Sequence, residues 1–182
     1  MRTLKQRITH FALPIFLFVI AVVFSPLVAS AQNQGGGSIA WVIAKSVVLD
    51  PTTYTPATLS YTSQRMDWNT SQVLFKAGWL EHNSRFTVSG RPDDTPIGYE
   101  AGNRQIRRYA LAHLQESVVN NVSALIFERT LTQKYPEQRK LFKMLSWVER
   151  ISFSAYVGYF ASVDHFRQAQ RNQDTARDHG IQ

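Results

Sequence analysis

From residue 106 to residue 170 the chain is written in threes and fours. Leu111, Leu114, Val118, Val122, Leu125 and Ile126 recur at that spacing over residues 106–130. Leu141, Leu145, Val148, Ser152, Tyr156, Tyr159, Val163 and Phe166 do the same over residues 136–170, with Ile151 and Ala155 widening the stripe. Such a period puts the apolar side chains on one face of an α-helix and leaves a strand no consistent side to bury. Residues 131–135 form the turn, Pro136 fits a first helical position where its missing N–H costs nothing, and Glu137 suits the first-turn dipole. So short a connection makes the two helices antiparallel neighbours. The expected core therefore sets Val118, Val122 and Leu125 against Leu145, Val148 and Tyr156. At 1.5 Å per residue the second helix would run roughly 50 Å. A compact domain of this size has a radius of gyration of only ~15 Å, so the helix must bend, break near Ser152, Ser154 or Gly158, or project.

The N-terminus has a different grammar. Arg2, Lys5 and Arg7 stand in a start without acids, an uncharged apolar run follows over residues 11–23, and Pro26 precedes Val28-Ala29-Ser30-Ala31. Charged start, apolar middle and small-residue end form a secretory signal peptide over residues 1–31, with cleavage after Ala31. The alternative is an inner-membrane anchor over residues 11–29, which approaches the roughly 20 residues a span requires. The expected location is thus periplasmic or extracellular, free or on a membrane surface, and the alternative is the inner membrane with residues 11–29 as the anchor.

Removing the signal changes the charge. The whole chain has 20 basic and 13 acidic residues, and the signal takes three of the basic ones, leaving 17 against 13, or +4. That is too weak and scattered for a nucleic-acid partner, so none is expected. With no cysteine, an exported chain gains no disulfide staple and must be held by its core, a partner or a membrane surface.

The rest reads as a single small helical domain over residues 39–171. Residues 32–38, Gln-Asn-Gln-Gly-Gly-Gly-Ser, are a flexible lead. Ile39–Leu49 is apolar at nine of eleven positions. It is either a buried element or a piece lying on a membrane, since at roughly 16 Å as a helix it is too short to cross one. Residues 50–64, with five threonines and two prolines, read as an extended connector. A helix follows over residues 67–80, apolar on two flanks. Residues 81–105 are irregular, and an unstructured stretch of ~20 residues inside a compact domain is usually functional or disordered. Residues 172–182 are almost wholly polar and read as a tail.

Several constellations could carry chemistry. Asp67, Thr70, Gly78 and Glu81 fall close to one line if the 67–80 helix continues to Glu81. Glu81, His82 and Asn83 put a carboxylate, an imidazole and an amide side by side, although neighbours on a helix point different ways. Helix-ending polar residues with Asn83 as a cap explain them equally. Residues 78–84, Gly-Trp-Leu-Glu-His-Asn-Ser, resemble a pattern of small, uncharacterised helical membrane or exported proteins of bacteria. In those, Gly-x-x-Glu-x-Asn-Pro ends a helix, with an aspartate and a threonine two to three turns upstream. Asp67 and Thr70 match that pair, and Ser84 stands in place of the proline. The resemblance implies a membrane-linked location and no particular activity.

His113 and Glu116, three apart on a helix, share a face as two metal ligands can. Arg104, Arg107 and Arg108 crowd what reads as a helix start, where the dipole disfavours cations. Either Asp93, Asp94 and Glu100 offset them, or an anion or lipid headgroup does. No Gly-x-Ser-x-Gly, P-loop, His-Glu-x-x-His or Cys-x-x-Cys motif occurs, so no cofactor is expected. Two readings follow. One is a non-enzymatic protein binding a partner or the membrane surface. The other is a small exported enzyme, metal-assisted, around Glu81, His82, His113 and Glu116.

Overall fold

The structure, a computed structural model, describes residues 39–181, so the expected signal peptide and flexible lead lie outside the described residues. The fold is mainly helical: α1 (Ile39–Leu49), α2 (Thr55–Lys76), α3 (Tyr99–Lys134) and α4 (Arg139–Asp178), with 3-10 turns at Pro51–Thr53 and Pro136–Gln138. Among the described residues there is no strand, only two isolated antiparallel bridges, Glu81 with Asp94 and Thr87 with Pro96. The chain divides into two units between Val48 and Leu49. In the first, α1 has Ile43 and Val47 buried while Trp41 is exposed.

In the second unit α2 packs against both α3 and α4, and α3 packs against α4. The expected extended connector at residues 50–64 is mostly helix. Asp50 starts it: its Oδ1 accepts the Thr52 N–H at 2.9 Å, Pro51 opens the 3-10 turn, and Pro56 sits in the first turn of α2, where a proline is tolerated. The buried face of α2 carries Ser60, Ser63, Gln64 and Ser71 beside Trp68 and Leu74, so no apolar stripe announced it. α2 stops at Lys76, short of the expected Leu80, because Gly78 takes φ 91° and the Trp79 N–H reaches back to the Leu74 carbonyl at 3.1 Å. That six-to-one bond around a left-handed glycine closes the helix. Because α2 begins at Thr55, Asp67 lies in mid-helix instead of at its expected start, and Glu81 and Asn83 lie beyond the helix end.

The irregular stretch is shorter than expected, because α3 begins at Tyr99. The loop before it folds back on itself, with Glu81 and Asp94 exchanging backbone hydrogen bonds of 2.9 and 3.2 Å and the Ile97 N–H donating to Phe86 at 2.7 Å. It brings Phe86 onto Trp68 and Ile106, and these three buried residues with Phe75, Ile97 and Tyr109 make the one compact apolar cluster among the described residues. The Trp68 indole fits because Gly102 faces it. A Cβ at Gly102 would run into the ring.

α4 is a single helix of 40 residues with no break, about 60 Å long. It absorbs most of the expected polar tail, since Asn172 and Ala176 are buried. It returns antiparallel along α3: Asn120 donates to Glu149, and the Ser146 hydroxyl donates to the Ala124 carbonyl.

The expected apolar core between these helices is not there. Leu145, Val148 and Tyr156 are 51%, 45% and 65% exposed, Leu141 and Tyr159 are also exposed, and Val118 is surface-facing. The buried residues of α4 are instead Ser146, Ser154, Gly158, Ser162, Ala169, Asn172 and Ala176, again at spacings of mostly three and four. The period was right and the face was reversed. The helices approach through small residues: a Cβ on Gly158 would stand 2.9 Å from Leu59 Cδ1 of α2. A bulky stripe cannot occupy so close a crossing, and small side chains are what permits it.

Polar bonds tie this interior together. Asn121, 1% exposed, donates to the hydroxyls of Thr52 and Thr53 at 2.9 and 2.8 Å. The Arg150 Nε donates to Asp50 Oδ2 at 2.8 Å, and its Nη1 donates to Ser146 at 2.7 Å. A buried donor left unpaired costs about 1–3 kcal/mol, so these bonds fix the register of the helices as well as holding them.

Candidate functional site

Where α2, the loop after it and the C-terminal half of α4 meet, they enclose a cavity of about 310 Å³. Its polar wall is built from both helices. Asp67 on α2 pairs with His165 on α4, Oδ2 to Nδ1 at 2.7 Å. The Asn172 amide donates to Asp67 Oδ1 at 3.1 Å, to the Thr70 hydroxyl at 3.3 Å and to the Ser71 hydroxyl at 2.8 Å. Both oxygens of Asp67 are thus engaged, by partners 98 and 105 residues away in sequence. The loop adds Glu81, whose Oε1 accepts the Asn83 N–H at 2.7 Å. Burial pushes the Glu81 carboxyl above its usual range, against the pull of the Asn83 N–H, and the nearby Asp67 charge pushes it further. The apolar wall is aromatic, with Trp68, Phe75, Trp79 and Phe86.

Of the expected line of Asp67, Thr70, Gly78 and Glu81, the cavity brings together Asp67 and Glu81, although not by one continuous helix; Thr70 meets Asn172 beside it, and Gly78 sits in the turn that ends α2. Of the adjacent triplet, Glu81 and Asn83 line the cavity together with His82, whose imidazole is exposed and pairs with Asp93. Asn83 does not cap α2; its side chain accepts the Arg85 N–H at 3.2 Å within the loop. His113 and Glu116 pair with each other along α3 at 3.0 Å, and His113 lines a neighbouring cleft. Among the described residues no three His, Asp or Glu side chains come together in a way that could hold a metal ion. Glu81, His82, His113 and Glu116 thus form no joint metal centre.

Arg104, Arg107 and Arg108 are exposed, and no ion pair joins them to another described residue. Because α3 begins at Tyr99, they stand in its second and third turns, and Glu100 occupies the first turn that the dipole favours for an acid. The strain expected from arginines at a helix start is absent.

The sequence alone reads Asp164-His165 as a solvated turn near the end of the long helix and Asn172 as the start of the tail, so neither His165 nor Asn172 stands out as a site residue. A signal was present: His165, Gln168, Asn172 and Thr175 recur at three, four and three, and all four line the cavity. It is the pattern of a polar stripe facing inward.

The outer face is the second feature of note. Along α4 the exposed side chains include Leu141, Met144, Leu145, Trp147, Val148, Ile151, Tyr156, Tyr159 and Phe160, and α3 adds Leu111 and Phe127. Phe160 packs against both tyrosines, tilted against Tyr156 at 4.6 Å and edge-on to Tyr159 at 5.3 Å between ring centroids. No helix among the described residues is long and apolar enough to cross a membrane. Comparison with protein-family models, curated proteins and solved structures finds no match to this chain.

Proposed function

We propose that this is an exported, non-enzymatic helical protein that seats the α3–α4 hairpin on a membrane surface. The observation that carries this reading is the reversed helix α4, with serine, glycine and asparagine inside and tryptophan, tyrosine, phenylalanine and leucine outside. Soluble monomers rarely leave a contiguous apolar patch larger than a few hundred Å², and larger ones mark membrane or protein interfaces. Lipid is the better fit here because of what flanks the patch. Residues 134–143 at the hairpin tip carry Lys134, Arg139, Lys140 and Lys143 against Glu137 alone, a net of +3. Basic side chains beside exposed aromatic ones suit anionic headgroups, at about 1 kcal/mol per Lys or Arg near such a surface. Arg104, Arg107 and Arg108 would add to that attraction. The resemblance of residues 78–84 to helical membrane or exported proteins agrees with it.

In this reading residues 1–31 direct export and are removed after Ala31, so the protein meets the membrane through its folded helices. Fractionation of producing cells tests both parts. The protein is expected with the membranes, released by alkaline carbonate, with a mature N-terminus at Gln32. Recovery wholly in the soluble fraction would refute seating on the membrane. An N-terminus at Met1 would refute cleavage.

A further inference from the structure

The cavity between α2, the loop and α4 has a composition that selects its ligand by charge. Two carboxylates line it, Asp67 and Glu81, and its wall contains two histidines but no lysine or arginine. An anion entering it would meet negative charge with no fixed cation to offset the loss of water, which is expensive. The two carboxylates are not equivalent. Asp67 is consumed by the fold, since His165 holds one of its oxygens and Asn172 the other. Glu81 has only the Asn83 N–H on one oxygen, and no other side chain hydrogen-bonds or ion-pairs with it among the described residues. One oxygen of this half-buried carboxylate is therefore left to accept from a cationic donor on a ligand.

The apolar part of the lining suits the rest of a ligand. Trp68 and Phe86 are buried against each other and Phe75, with ring centroids 5.2 and 5.6 Å from the indole, so they form a rigid floor that presents only ring edges to the cavity. The half-exposed Trp79 and Leu80 also line the cavity, on the solvent side. Aromatic faces attract ammonium groups as well as hydrocarbon. The volume, about 310 Å³, sits at the small end of the roughly 300–1,000 Å³ typical of small-molecule sites. Metal ions are a poor fit because the donors do not converge.

We propose that this cavity binds a small organic ammonium compound, with the cationic nitrogen on Glu81 and its apolar body against Trp79 and Leu80, above the floor formed by Trp68 and Phe86. Asp67, His165 and Asn172 are positioning residues that hold α4 against α2 and shape the wall. The proposal does not depend on membrane seating, and its test uses no lipid.

Three probes of one shape separate charge from shape: 2-phenylethylamine, 2-phenylethanol and phenylacetate. Isothermal titration of the full chain should show saturable binding of the amine, at least about tenfold tighter than the alcohol, with the acid weaker still. Glu81→Gln should remove the preference for the amine over the alcohol while the circular dichroism spectrum stays that of the parent. Trp79→Leu should weaken amine and alcohol together. Equal binding of all three probes, binding of none, or an unchanged amine preference in Glu81→Gln would each overturn the proposal.

Discussion

Two substitutions one half-turn apart on α4 decide whether the helix is reversed. Ser154 is 4% exposed and Tyr156 is 65% exposed. Replacing Ser154 by leucine adds three carbons where α4 runs close to α2. One turn further on, at Gly158, a single Cβ would already stand 2.9 Å from Leu59. Overpacking of this kind costs about 1–3 kcal/mol, and a rigid crossing of long helices belongs in the upper half of that range. At roughly 2–4 °C per kcal/mol for a domain of this size, the melting temperature should fall by about 4–12 °C. Tyr156→Ser removes a ring that mostly faces outward and packs tilted against Phe160, so its cost should stay near 1 kcal/mol or below. If the apolar stripe were the core, the order would invert. Losing a buried aromatic costs about 3–5 kcal/mol, and an outward Ser154→Leu would cost almost nothing. Thermal melts followed by circular dichroism, in one mild detergent for parent and variants, read the difference. A Tyr156→Ser variant melting well below Ser154→Leu would refute the reversed architecture.

Gly102→Ala should lower stability by about 1–3 kcal/mol in the same melts, because its Cβ meets the Trp68 ring, a rigid neighbour held by a hydrogen bond from Nε1 to the Tyr99 carbonyl; a parent-like melt would mean that the two helices do not meet there. Glu81 gives a pH dependence of known sign. A carboxyl whose pKa is higher in the folded chain binds its proton more tightly there, so its contribution is fully present below the unfolded pKa and is lost as pH rises through the folded value. Glu81→Gln should therefore be more stable than the parent at neutral pH and lose that advantage on acidification, as urea titrations at several pH values would read. Alanine at all three of Arg104, Arg107 and Arg108 should weaken binding to anionic liposomes, most at low salt, where screening is least. Unchanged flotation would remove these arginines from the membrane contact.

What the sequence made legible was period, and what it hid was direction. The stripe through Leu141, Leu145, Val148, Tyr156 and Tyr159 marks a helix whichever way it faces, so α3 and α4 could be placed from it. α2 could not be placed over its first half, because its inward positions are Ser60, Ser63 and Gln64 and a search for apolar spacing finds nothing there. The same blindness ended α4 too early, since Asn172 looks like tail until its three bonds to α2 are seen. The candidate site was half legible for the same reason. Asp67, Thr70 and Glu81 are close in sequence and would share one line of a continuous helix, whereas His165 and Asn172, the partners of Asp67, arrive only through the crossing of α4 over α2. Side-chain size, more than polarity, would have shown which face was inside. Two helices crossing closely need small residues at the contact, and Ser146, Ser154, Gly158 and Ser162 supply them at four- and eight-residue steps. The bulky residues on the other face have no such constraint and no room within. Packing geometry therefore assigns the small stripe to the interior, and the large apolar stripe is left to meet whatever surrounds the protein.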